Sequence, residues 1–132
     1  MKKLLLIAIF SCAIALQSCA QKEAAAIKVI SPQEVYDAIY SPSSDAQLLD
    51  VRTDQEYGVS HLKNAQNICV TTSDFQEKVK TLDKNKPVYV YCKKGGRSAK
   101  AAKILADLGF KEIYDMQGGL TNWEDNELEV EN

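Results

Sequence analysis

The sequence predicts an α/β fold: one domain with a mostly parallel central sheet and helices on both faces. Three observations predict it. Strand-like and helix-like segments alternate from residue 27 to the C-terminus, as in parallel sheets with helical crossovers. Two of the strand-like runs, "AQLLDV" and "PVYVYC", are apolar enough to be buried. A chain of 132 residues can bury one proper core and is too short for two.

The first twenty residues, "MKKLLLIAIFSCAIALQSCA", stand apart from that domain. A basic tip (Lys2, Lys3) precedes an apolar run from Leu4 to Leu16 and then small and polar residues. This is the anatomy of a secretory signal peptide over residues 1–18, too short for a comfortable membrane span. Its end, "LQSC", resembles the lipobox of bacterial lipoproteins, with Leu16 upstream and Ser18 just before Cys19. That resemblance implies an acylated Cys19 as first mature residue, residues 19–26 as a lipid-proximal tether, and residues 27–132 as the domain. It also implies a bacterial envelope location, because a diacylated cysteine anchors stably where one chain does not.

Within the domain, "IKVI" reads as a brief strand. Ser31-Pro32 opens a helix, with Ser as N-cap and Pro at the first position, and Val35, Ile39 and Tyr36 share a face. "SPSSD" breaks it, and "AQLLDV" is the next strand. "RTDQEYG" is predicted as one helical turn capped by Thr53 and stopped by Gly58. "NAQNICV" reads as a strand. In "TTSDFQEKVKTL", Ser73 and Gln76 have capping-box spacing, and Phe75, Val79 and Leu82 fall at helical intervals. "KNKPVYVYC" is the most strand-like segment. A helix from near Ser98 follows, with Ala101, Leu105 and Leu108 on one face and Gly109 placed to end it. "EIYDM" is a last strand, and "GGLTNWED" a final short helix packed by Trp123.

Composition narrows the function. Net charge is −2, and loss of Lys2 and Lys3 with the signal takes it to about −4, so no nucleic-acid partner is expected. No Cys or His pair has metal spacing, so neither a metal nor a cofactor is expected. Beyond the leader and Cys19, only Cys69 and Cys92 remain, and nothing in the sequence requires a bridge between them.

Cys92 is the site candidate. In parallel α/β sheets, ligands bind at the carboxyl ends of strands, and Cys92 ends the most buried-looking one. "CKKGGRS" then leads into a helix. Gly95 and Gly96 allow positive φ, so successive amides can point into one concavity, and the helix start adds its positive dipole end. Arg97 supplies a fixed cation, and Lys93 and Lys94 add field at the rim. A thiol in such a cradle has a depressed pKa and reacts as thiolate. The bland alternative, a small apolar residue beside a solvated basic loop, fits composition equally well. The order strand, Cys, glycines, Arg, helix favours chemistry.

This segment resembles the active-site loop of the rhodanese family, Cys-x-x-Gly-x-Arg-Ser, at Cys92, Gly95, Arg97 and Ser98. "LLDVRTDQEYGVSHLKNAQNI" resembles the family's upstream signature and "LGFKEIYDMQGGLTNW" its C-terminal one. In the first, Ser60, Lys63 and Asn64 depart from the family's usual turn, and Asn64 tolerates the left-handed geometry a variant turn needs.

The resemblance implies sulfurtransfer in two steps. Cys92 takes the outer sulfur of a small anionic donor such as thiosulfate, and the persulfide passes it to a thiol or other thiophilic acceptor. Amides from Lys93 to Ser98 would hold the persulfide (Lys94, Gly95 and Gly96 among them), and Arg97 would stabilise the anion. Asp50, Arg52 and Glu56 are expected to form a structural ion-pair set beneath the loop that helps orient Arg97. His61 is expected to brace a turn, and Cys69 to be a buried small residue.

Alternatives on the same fold remain in view. Phosphatases and arsenate reductases carry five residues between Cys and Arg, sized for a tetrahedral oxyanion, where this chain has four. Interaction modules usually lose the cysteine kept here. An envelope persulfide carrier or redox protein, served by one thioredoxin-like partner, is separated poorly by sequence. The domain is expected to be a monomer.

Overall fold

The computed structural model describes residues 25–132. The leader, Cys19 and most of the tether lie outside them. Five strands form one parallel sheet: β1 (Ile27–Ile30), β2 (Gln47–Asp50), β3 (Gln66–Asn67), β4 (Val88–Tyr91) and β5 (Ile113–Met116), in the order β1-β5-β4-β2-β3. The helices are α1 (Pro32–Ile39), α2 (Asp54–Val59), α3 (Phe75–Lys78), α4 (Gly96–Asp107) and α5 (Gly119–Asp125). The predicted α/β class is the one observed.

Alternation along the strands divides the core. Val88, Val90, Cys92 and Ile113 face α4 and α3, where Ala101, Leu105, Phe75 and Val79 complete one apolar cluster. Tyr89, Tyr91, Leu48 and Met116 face the other way, against Val35, Leu62, Leu120 and Trp123. Helices therefore cover both faces, which is why the central strand β4 is buried at every position. From β2 the chain moves outward to β3, and from β4 it moves the opposite way to β5. The crevice between β2 and β4 is thus the switch point where such folds bind ligands.

Two expected helix starts hold. Ser31 and Glu34 form a reciprocal capping box behind Pro32, and Thr53 and Glu56 form a second one. Asn64 takes φ of 65°, the left-handed turn expected of it.

Several boundaries differ. The Ser73–Gln76 capping box does not form: the Phe75 amide bonds the Thr72 carbonyl, and the helix starts after Asp74, which has no side-chain cap bond. This helix tightens after one turn into a 3-10 segment, Val79–Thr81. Gly58 does not stop α2, which runs through it to Val59. "NAQNICV" pairs over only two residues, although the Ile68 and Val70 amides continue bonding to the Asp50 and Val51 carbonyls. The helix after Cys92 begins at Gly96, two residues earlier than expected, because Gly95 takes φ of 113° as its N-cap.

Candidate active site

Cys92 follows β4 directly and is 1% exposed. The chain then turns sharply through Gly95 into α4. The Gly95 amide donates to Cys92 Sγ at 3.1 Å, and Ser98 Oγ stands 3.5 Å from the same sulfur. The Ser98 hydroxyl also donates to the Gly95 carbonyl at 3.1 Å. Burial pushes the Cys92 thiol up, but the Ser98 hydroxyl and the amides of Ser98, Gly95 and Lys94 outweigh it. The net direction is down. The early start of α4 places Arg97 and Ser98 in its first turn, so the sulfur lies at a helix N-terminus.

The basic residues behave differently from one another. Arg97 does not reach inward as a free cation. Its Nη1 and Nη2 bond Glu56 Oε2 and Oε1 at 2.7 and 2.8 Å, a bidentate pair. Arg97 holds the Glu56 carboxyl down at about 2. Lys94 is exposed, and Lys93 Nζ lies 3.7 Å from Glu124 Oε2. Both lysines stand at the rim of the loop.

The expected ion-pair set of Asp50, Arg52 and Glu56 divides in two. Glu56 alone orients Arg97. Asp50 pairs in register with Tyr91, whose side chain faces away from Cys92, so its carboxylate lies on the opposite face of the sheet. There Arg52 Nη2 bonds Asp50 Oδ2 at 2.6 Å and the Ser60 carbonyl at 2.7 Å. The Tyr91 hydroxyl donates to Asp50 at 2.7 Å and accepts from the Leu62 amide at 3.1 Å. This network fixes the loop after β2, and Thr53 and Glu56 follow from it.

His61 stacks on Tyr57, its Nδ1 lies 2.9 Å from the Tyr57 carbonyl, and its backbone pairs with Glu131. That is a bracing role. Cys69, expected to be buried, is only partly so: it lies in the loop after β3 with Sγ 3.1 Å from Thr71 Oγ1, and both Cys69 and Cys92 are free thiols. Among the described residues no cluster of three or more His, Cys, Asp or Glu could hold a metal ion.

Residue-by-residue reading of the sequence missed Gly119. It takes φ of 61°, and a Cβ there would stand 2.4 Å from the Cys92 carbonyl oxygen and 2.7 Å from the Lys93 carbonyl carbon. The next two amides, Leu120 and Thr121, donate to the Cys92 and Lys93 carbonyls at 2.8 and 3.0 Å. The start of α5 therefore clamps the cysteine's own backbone. The signal was the Gly-Gly pair before the last helix. Tyr91 and Asp115 were also missed, for want of any local motif.

Residues 31–126 match the family model of the rhodanese-like domain. The chain belongs to the rhodanese-like domain family. It is 35% identical over 96 residues to the thiosulfate sulfurtransferase GlpE of Coxiella burnetii, covering 73% of this chain and 86% of that protein. YqhL of Bacillus subtilis is 38% identical over 78 residues, 59% of this chain and 60% of YqhL. The tRNA uridine(34) hydroxylase of Cytophaga hutchinsonii is 39% identical over 82 residues, 60% of this chain but only 26% of that enzyme. The rhodanese-like fold thus also serves within larger proteins. Among solved structures, a rhodanese-related protein from Thermoplasma volcanium superposes with a TM-score of 0.69 at 31% identity. The match covers 79% of this chain and 97% of that one. A rhodanese-like domain protein from Staphylococcus aureus gives 0.67 at 30% identity, covering 80% and 99%. These relatives support an enzyme of sulfurtransferase type.

Proposed function

We propose that this rhodanese-like chain moves sulfane sulfur from a small anionic donor such as thiosulfate to a thiophilic acceptor, carried as a persulfide on Cys92. The observation behind the proposal is the sulfur's setting: Gly95 N–H at 3.1 Å and Ser98 Oγ at 3.5 Å, at the N-terminus of α4. In the first half-reaction the Cys92 thiolate attacks the donor's outer sulfur. The donor's S–S bond breaks and sulfite leaves with its electron pair. In the second, a thiol or cyanide attacks the terminal persulfide sulfur, and Cys92 leaves as thiolate.

Each part of the loop has a task. Amides of Lys94, Gly95 and Ser98 stabilise negative charge on sulfur without having to reorganise. Lys93 and Lys94 draw the anionic donor to the rim. Arg97, fixed by Glu56, holds the first turn of α4 and adds a stationary positive field. Four residues between Cys92 and Arg97 make a cradle for sulfur, smaller than one for phosphate.

For the rest of the chain, the proposal is a lipoprotein leader over residues 1–18 and an acylated Cys19 tethering a monomeric domain to a bacterial envelope membrane. The acceptor there is a small thiol or a thioredoxin-like protein. Incubation with thiosulfate and cyanide tests the chemistry: thiocyanate forms with wild type and not with Cys92→Ala. Hydrolysis of a small aryl phosphate without thiocyanate formation would favour the phosphatase alternative. Palmitate labelling tests the anchor, and label surviving Cys19→Ala contradicts it.

A further inference from the structure

Asp115 has no part in the chemistry above, yet it is built into the same pocket. It lies near the carboxyl end of β5, in register with Val90, two residues before Cys92. It shares the α4 side of the sheet with Ile113 and Cys92, because alternate strand residues share a face. It is 5% exposed, and its Oδ1 is the one buried side-chain oxygen or nitrogen without a hydrogen-bond partner among the described residues. Its carboxyl lies beside the Ser98 hydroxyl, the group that stands 3.5 Å from Cys92 Sγ. Its register partners on both sides, Val29 and Val90, are apolar.

The proton inventory of this pocket decides what Asp115 does. Ser98 has one hydroxyl hydrogen and three acceptors around it: the Gly95 carbonyl, the Cys92 thiolate and the Asp115 carboxyl. The Gly95 carbonyl already accepts from the Ala99 amide at 3.1 Å. An ionised Asp115 would compete with the thiolate for that hydrogen and put a second uncompensated negative charge in a buried site. A protonated Asp115 reverses the arrangement, since its O–H needs an acceptor and Ser98 Oγ is the one at hand. Burial pushes the Asp115 carboxyl up by more than the neighbouring Ser98 hydroxyl draws it down, so the net direction is up.

We propose that Asp115 is a positioning residue that works as a neutral acid. Its carboxyl O–H donates to Ser98 Oγ, so the Ser98 hydroxyl turns its hydrogen toward the Cys92 sulfur, and one negative charge occupies the pocket in place of two. The inference deepens the Cys92 reading and rests on it.

The test is the pH dependence of iodoacetamide alkylation, followed by mass spectrometry on the Cys92 peptide, in wild type, Asp115→Asn and Asp115→Leu. Asn keeps a neutral N–H donor and is expected to retain the wild-type profile. Leu keeps the volume and loses the donor. Its alkylation rate near neutral pH is expected to fall about tenfold or more, the cost of one hydrogen bond to a charged group. A Leu variant with the wild-type profile overturns the proposal, as does an Asn variant shifted as far as Leu. Infrared spectroscopy gives a readout that needs no stable Leu variant. A protonated carboxylic acid band should be present in wild type at neutral pH and missing from Asp115→Asn; its absence from wild type also overturns the proposal. If Cys92 is not the sulfur carrier, wild type forms no persulfide. If only Asp115 is misassigned, persulfide forms and these shifts do not appear.

Discussion

Gly119→Ala strikes the contact that holds the catalytic backbone in place. The added Cβ would lie 2.4 Å from the Cys92 carbonyl oxygen and 2.7 Å from the Lys93 carbonyl carbon, both backbone atoms that cannot rotate away. The residue would also sit at φ of 61°, which costs a side-chain-bearing residue about 1–2 kcal/mol. Relief of the clash requires α5 to withdraw, breaking the Leu120 and Thr121 hydrogen bonds to the loop, at about 1 kcal/mol each. The total is roughly 3–4 kcal/mol, a large share of the ~5–15 kcal/mol typical of a domain. Urea unfolding measures it: with a slope of ~1–3 kcal/mol per molar, the midpoint should fall by about 1 M or more. Gly96→Ala is the control. It makes the same change in the unfolded chain, but a Cβ there meets nothing within 4 Å and φ is not positive. Its midpoint should stay or rise slightly. Equal midpoints for the two variants would refute the clamp between α5 and Cys92.

Other parts of the site respond separately. Glu56→Gln removes the charge that holds Arg97, and thiocyanate formation should drop several-fold while the stability read from urea unfolding falls by less than about 1 kcal/mol, as for a partly exposed ion pair. Because the folded-state pKa of Glu56 lies at about 2, below its usual 4.5, its contribution is complete above 4.5. It is lost as pH falls toward 2, and an acid titration of wild type against Glu56→Gln should converge there. Tyr91→Phe strands the Leu62 amide and takes one donor from buried Asp50, so unfolding should cost about 2–4 kcal/mol less, with the Cys92 alkylation profile unchanged across the sheet. Ser98→Ala should move the Cys92 alkylation midpoint upward, because the hydroxyl is the largest of the groups that lower the thiol's pKa.

Much of this architecture was legible in the sequence, for physical reasons. Ser31-Pro32 and Thr53 are local signals, and local hydrogen bonds decide where those helices begin. Cys92 could be placed because a strand end, two glycines and a helix start are contiguous. Boundaries set by tertiary contacts were not legible. Gly58 resembles a helix stop but sits inside α2, and Ser73 has a capping partner at the right spacing that the Thr72 turn forestalls. The same limit applies to the site. Asp50 and Arg52 lie near Glu56 in sequence, yet strand alternation sends Asp50 to the far face of the sheet. Asp115 and Gly119 reach the Cys92 pocket from β5 and the start of α5, about twenty-five residues away in sequence. Only the parallel crossover through α4 brings them together.

Sulfur transfer as proposed depends above all on Cys92 carrying the sulfur. The direct measurement is a mass spectrum of the intact protein and its Cys92 peptide after exposure to thiosulfate, followed by cyanide. A gain of one sulfur atom on Cys92 is expected, removed by cyanide with release of thiocyanate and absent from Cys92→Ala. An unmodified Cys92 peptide, or a sulfur adduct that forms equally well on Cys69 in the Cys92→Ala variant, would contradict it.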